Sequence, residues 1–249
     1  MRRLLVLSLC LSLCFSVTAT GLKVAPVKQQ KVVQASKDNT IIESPNGDLS
    51  SGKGATIFVG RTGQAENSIR RGLIAFDISK AIPAGSKILS VKLTMTATKG
   101  AGANRSGAGG GQSANRQVTL HRLTSDWGEG ASSSEGGRGA PASAGDATWL
   151  HSFYPDKLWS QPGGDFVSDE SASQTAAAAG VYTFGSTPQM VSDVQGWLDA
   201  PKTNYGWLLR GDETEGATAI VFQSRESATQ KARPQLTVTY TAPVRKRKR

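Results

Sequence analysis

Residues 236–240 read Leu-Thr-Val-Thr-Tyr, and so strict an apolar/polar alternation fits a strand with one buried face. Two further apolar runs precede it, at 205–209 and 219–222. The connecting segments, GDETEG and SRESATQKARP, are too polar and too rich in turn formers to be anything but loops. The longest alternating run is 88–97, where Leu89, Val91, Leu93, Met95 and Ala97 interleave with Ser90, Lys92, Thr94 and Thr96. In the run 70–78 both faces are apolar, with Ile74, Phe76 and Ile78 on one and Leu73 and Ala75 on the other, as for a central strand. Shorter strands are expected at 38–42, 57–60, 117–123 and 182–184. One segment is helical in period: over 188–200, Met190, Val191, Val194, Trp197 and Leu198 share a face. Thr187 is placed to cap it, Pro188 to open it and Pro201 to stop it. Many short strands with one helix predict an all-β chain, an antiparallel β-sandwich of jelly-roll-like kind with one short helix.

The organisation follows from composition shifts. Residues 1–19 have the form of a secretory signal: Arg2 and Arg3, then an apolar stretch from Leu4 to Val17, then small residues for cleavage after about Ala19. The stretch is too short for a comfortable transmembrane helix and no second one follows, so a secreted or cell-surface, soluble product is expected. Cys10 and Cys14 both fall inside the signal, and the Leu before each argues against a lipid anchor. A mature chain without cysteine has no disulfide, thiolate metal site or cysteine nucleophile. Residues 20–37 read as a linker or a leader to the first strand, 38–242 as the sandwich and 243–249 as a basic tail. Gly/Ala/Ser-rich loops are expected at 99–116 and 128–146.

The net charge of +10 comes from 29 basic and 19 acidic residues. Arg2 and Arg3 leave with the signal and five more basic residues form the tail, which leaves 22 against 19 in the body. No basic stripe runs through the domain, which argues against nucleic acid as a partner. The tail itself suits an anionic envelope polymer or an acidic polysaccharide.

In order along the chain stand Arg71-Gly72-Leu73-Ile74-Ala75-Phe76-Asp77-Ile78-Ser79, Ile82-Pro83-Ala84-Gly85-Ser86, Asp126-Trp127-Gly128-Glu129, Trp159-Ser160-Gln161-Pro162-Gly163-Gly164-Asp165-Phe166, Asn204-Tyr205-Gly206-Trp207 and Phe222-Gln223-Ser224-Arg225-Glu226. In this order and spacing the chain resembles the DNRLRE-domain proteins, which are similar to carbohydrate-binding module family 96. The resemblance covers 38–242. The hexapeptide of the family's name is absent, and the two Gly/Ala-rich loops are long for it. The resemblance implies a secreted β-sandwich that binds polysaccharide.

Candidate residues follow from side-chain chemistry. Trp159, Tyr154 and His151 lie in an irregular stretch and are expected to contact sugar, whose C–H faces lie well on aromatic rings. Trp127 and Trp149 are weighted towards packing, and Trp197 and Trp207 towards the core. Arg225, with Arg70 or Arg71, is a candidate grip on a uronate carboxylate through the planar guanidinium fork. A structural Ca²⁺ is considered at Asp165, with Asp38 and Asp169 as further ligands. Catalytic motifs are absent. The clustered carboxylates Asp126 with Glu129, and Asp212 with Glu213 and Glu215, are the only material for a glycosidase or lyase. The expectation is a non-catalytic polysaccharide-binding module. A structural or adhesive surface protein is the alternative, and an enzyme on a jelly-roll scaffold the third reading.

Overall fold

The computed structural model describes residues 27–99 and 115–243; the expected signal segment, the middle of the 99–116 loop and nearly all of the basic tail lie outside them. Along the chain come β1 (Lys28–Ile42), β2 (Leu49–Ser50), β3 (Thr56–Arg61), β4 (Ile69–Phe76), α1 (Ile78–Ala81), β5 (Lys87–Lys99), β6 (Arg116–Leu123), β7 (Ala140–Pro141), β8 (His151–Phe153), β9 (Lys157–Leu158), β10 (Phe166–Ala176), β11 (Gly180–Gly185), α2 (Pro188–Asp199), β12 (Trp207–Arg210), β13 (Ile220–Gln223) and β14 (Gln235–Thr241). The fold is an all-β antiparallel sandwich with, among the described residues, one helix of more than a single turn.

The first sheet runs β1–β14–β5–β11, and β13 continues β14 along the same edge of β5 before pairing with β3. The second runs β2–β1–β4–β12–β6–β10. β1 belongs to both. Its first half pairs with β14, its second with β4, and a register shift between Ala35 and Lys37 marks the crossing. The expected linker is therefore corrected, because residues 28–37 are strand. Lys28, Gln29, Gln30 and Lys31 are exposed and only Val33 and Ala35 of that half are buried, so the segment lacks an apolar pattern.

Between the sheets lies the main core, where Ile74 and Phe76 of β4 meet Val91, Leu93 and Met95 of β5 and Leu236 and Val238 of β14. The opposite face of β4, Leu73 and Ala75, is buried too. It enters a second core with Ile41, Leu123, Trp127, Ala147, Trp159 and Leu208, made largely by loops folded over the second sheet. One strand of this sheet, β10, carries no sequence signal. Its FVSDESASQTA buries only Ala172, Ala176 and Ser171, and charged Asp169 and Glu170 sit on it as on many edge strands.

α2 begins as expected: Thr187 is extended, and its Oγ1 accepts the Met190 N–H at 3.0 Å. Met190, Val194, Trp197 and Leu198 are buried, and so is Asp193 on the same face. Asp193 Oδ2 accepts from Ser171 Oγ (2.6 Å) and Trp207 Nε1 (2.9 Å), and Oδ1 from Gln189 Nε2 (3.0 Å), which ties the helix to β10 and β12. The Trp197 and Trp207 rings meet edge to face at 4.5 Å beside it. Asp193→Ala leaves a buried indole N–H and a hydroxyl without acceptors, so urea unfolding is expected to show a loss of about 3 kcal/mol. A loss below about 0.5 kcal/mol, the size of an ordinary surface change, overturns this account of how α2 is held.

Candidate functional site

Just beyond the crossing in β1, Asp38 is buried, with 1% of its surface exposed. Its Oδ2 accepts the Arg225 N–H at 2.7 Å, and its own N–H donates to Glu129 Oε1 at 3.0 Å. Arg225 Nη1 donates to both oxygens of Glu129 (3.0 and 3.1 Å) and to Glu226 Oε1 (2.8 Å). Lys53 Nζ pairs with Glu129 Oε2 and lies 3.5 Å from Glu226 Oε1. Glu226 Oε2 is buried without a protein partner among the described residues.

The loop that presents Arg225 is fastened to its surroundings. Ser224 Oγ donates to Gly54 O (2.7 Å), and the Ser224 N–H to Ala55 O (3.0 Å). Burial pushes the Asp38 carboxyl well above the usual carboxylate range. The Arg225 N–H opposes this, while Glu226 and Glu129 add to it. Burial would lower the Arg225 pKa, but Glu129 and Glu226 outweigh it and hold the guanidinium above its ordinary value.

In front of this cluster is a cleft of about 390 Å³ lined by Gln34, Ala35, Arg225, Gln230 and Arg233. Arg233 is anchored through Nε, which donates to Ser227 O at 2.8 Å. Among the described residues, no protein acceptor takes Nε or Nη2 of Arg225, or Nη1 or Nη2 of Arg233. The cleft therefore holds two fixed guanidinium groups with free donors, flanked by two side-chain amides.

Of the six residues expected to bind ligand, only Arg225 lines this cleft. Trp159 is corrected: it is 5% exposed, its Nε1 donates to Thr148 O (2.9 Å), and its ring belongs to the second core, closed to a sugar. Arg70 is likewise internal. It is 1% exposed and donates to Gly137 O, Asn67 O, Ile69 O and Gln64 Oε1, and burial has pushed its pKa down to about 10.

Arg71 is committed as well. Nε and Nη2 hold Glu213 (2.7 and 3.0 Å), Nη1 donates to Gly163 O (2.8 Å), and the guanidinium lies 4.9 Å from the Trp149 ring centre. Burial raises the Glu213 pKa, but the bonds and charges of Arg71 and Arg210 outweigh it and bring it below the usual range. His151 and Tyr154 are half-buried on the loop layer, edge to face at 5.1 Å, and neither lines the cleft.

The expected metal ligands separate. Asp165 Oδ1 takes the Ser160 N–H (2.9 Å) and Oγ (2.6 Å), and Oδ2 takes Ser125 Oγ (2.9 Å). It ties down a turn and its oxygens are occupied by protein donors, which corrects the Ca²⁺ assignment there. Asp169 is exposed on β10 and joins no group of three metal-ligating side chains among the described residues. Asp38 does join one: single oxygens of Asp38, Glu129 and Glu226 lie within 4.8 Å of one another. Three carboxylates are the right donors for Ca²⁺ in kind. Lys53 and Arg225 already take the oxygens of Glu129 and Oε1 of Glu226, so as arranged the group does not fit the ion. The carboxylates weighed for catalysis are also held by cations: Asp126 by Lys37, Asp212 and Glu215 by Arg116, Glu213 by Arg71 and Arg210.

Sequence reasoning missed Arg233, Gln230, Gln34 and Lys53. The one available signal was the pair of arginines eight positions apart in the loop before the last strand. No protein-family model matches the chain and no curated protein matches it, so the DNRLRE resemblance rests on the motifs quoted above.

Two outcomes follow from the cluster. Asp38 has a folded pKa above its unfolded value of about 3.9, so its stabilising contribution is complete below that pH and is lost as pH rises through the folded pKa. Relative to Asp38→Asn, the wild type should lose stability from about pH 4 upward, by at most about 1.4 kcal/mol per pH unit, in urea titrations at a series of pH values. A difference independent of pH contradicts the burial argument. Separately, adding Ca²⁺ after EDTA should leave the thermal midpoint unchanged, and a clear rise would show that the ion displaces Lys53 and Arg225.

Proposed function

We propose that this is a secreted, non-catalytic protein that binds acidic polysaccharide, with the cleft of Arg225, Arg233, Gln34 and Gln230 as its grip. The observation that carries the reading is the pair of anchored guanidinium groups that keep free N–H donors in one cleft. A guanidinium matches a carboxylate with two parallel hydrogen bonds, and one already fixed by the protein loses little freedom on binding. The amides of Gln34 and Gln230 can both donate to and accept from sugar hydroxyls. The DNRLRE-like order of motifs points to the same class of partner. Recognition then runs through charge and hydrogen bonds rather than the aromatic stacking expected of Trp159. Burial of Trp127, Trp159, Trp197 and Trp207 is what favours the second reading, a structural or adhesive surface protein with no specific sugar site.

The test is affinity electrophoresis through gels holding polygalacturonate, alginate or a neutral glucan, with the full chain and with a chain ending after Val244. Retardation by the acidic polymers that survives loss of the tail is expected, and Arg233→Ala should weaken it about tenfold, the roughly 1.4 kcal/mol of one charge-assisted contact. Retardation that disappears with the tail, or that Arg233→Ala leaves intact, removes the cleft from the account and moves the reading to the structural role.

A further inference from the structure

Gln34 lines the cleft and is also the first residue of a row that crosses the first sheet. In register, Gln34 faces Gln235 of β14, Gln235 faces Thr94 of β5, and Thr94 faces Thr183 of β11. Their chain neighbours Val33, Leu236, Leu93 and Phe184 are buried in the main core, so the row points outward. Gln34 and Thr183 are exposed, Gln235 and Thr94 half-buried, and the Thr94 and Thr183 hydroxyls lie 3.3 Å apart. Three strand spacings of about 4.8 Å make the row roughly 14 Å long.

The charge on these strands is one-sided. None of the chain's 19 acidic residues lies in β5, β11, β14 or the first ten residues of β1, whereas six lysines do; of these Lys28 and Lys92 share the parity of the outward row, Lys31 does not, and Lys37 is paired with Asp126. Apolar side chains are exposed on the same strands, Val32 (48%) on β1 and Val181 (68%) on β11. Hydroxyls and amides that bond sugar hydroxyls, small apolar spots for sugar C–H groups, and lysines without opposing carboxylates make a surface complementary to a polyanionic glycan.

We propose that this outer face is a track along which one acidic polysaccharide chain continues from the arginine cleft, past Gln235 and Thr94 to Thr183. The proposal rests on the polysaccharide-binding reading above and adds that several consecutive sugar units are held. Its occupant is set by continuity with the cleft through Gln34 and by charge.

The test is calorimetry with oligogalacturonates of three and of twelve units. The short oligomer reaches the cleft alone, the long one the cleft and the row. The long oligomer is expected to bind about tenfold tighter or more, and Thr183→Glu, which sets a carboxylate at the far end of the row, should collapse that ratio towards one. Lys92→Glu, in the adjoining row, should do the same and serves if Thr183→Glu does not fold as judged by its thermal midpoint. A short oligomer that binds as tightly as the long one, or a ratio that survives both variants, overturns the track and leaves the cleft standing. Binding of neither oligomer overturns the track together with the reading it rests on.

Discussion

A strand that is apolar on both faces must be covered twice, and β4 imposes that demand on the whole chain. Ile74 and Phe76 are met by the first sheet in the usual way of a sandwich. Leu73 and Ala75 on the other face would be left in water if the loops between β6 and β10 stood away from the sheet. They fold down instead, and Trp127, Ala147 and Trp159 close a second core over that face. Most of the loop aromatics are consumed there. Arg71, which follows Arg70 in β4 and so points to the opposite face, fastens the layer through Glu213, Gly163 O and the Trp149 ring. The scarcity of aromatic rings for ligand stacking is thus a consequence of how β4 is buried.

The crossing of β1 between sheets has a second consequence. It brings Asp38 below the surface next to Glu129 and Glu226, where three ionised carboxylates would be uncompensated by Lys53 and Arg225. Burial raises the Asp38 carboxyl above the usual range, while Lys53 and Arg225 lie against Glu129 and Glu226. Arg225 is positioned by these contacts and by its N–H bond to Asp38. Nη1 serves the cluster, and Nε and Nη2 have no protein acceptor among the described residues. A cluster of this kind contributes little net stability, because desolvation opposes the attraction, but it fixes the direction of a side chain.

Much of the fold was legible in the sequence because it is written in period: the alternation in β5 and β14, the double apolar face of β4, and the capped 3.6-residue pattern of α2. The first half of β1 and all of β10 were not, since edge strands bury few side chains and leave nothing for a period to show. The candidate site was less legible still. Trp159, Arg70 and Asp165 lie in segments that read as loops or next to them, and whether such a residue faces water depends on distant partners. For Arg70 these are Gly137 O and Gln64, for Asp165 they are Ser125 and Ser160, and for Trp159 the partner is Thr148 O. Arg225 was recoverable because it stands in a polar loop immediately after a strand. Arg233 offers no such cue to a ligand role, as it shares its loop with lysine and glutamine of ordinary surface character.

The same logic explains where ligand recognition is placed on this scaffold. The second sheet has spent much of its outer face on a core, and the outer face of the first sheet keeps polar side chains in register from β1 to β11. Threonine and glutamine there satisfy strand preference and solvation together, which makes such a face common and cheap. What distinguishes this one is the absence of carboxylates from β5, β11, β14 and the first ten residues of β1, and its junction, at Gln34, with two arginines that the buried cluster and Ser227 O hold in place. A cleft alone would select an anionic group. A cleft that opens onto a carboxylate-free sheet face can select a chain of them, because each further unit adds contacts at little extra orientational cost once the first is held.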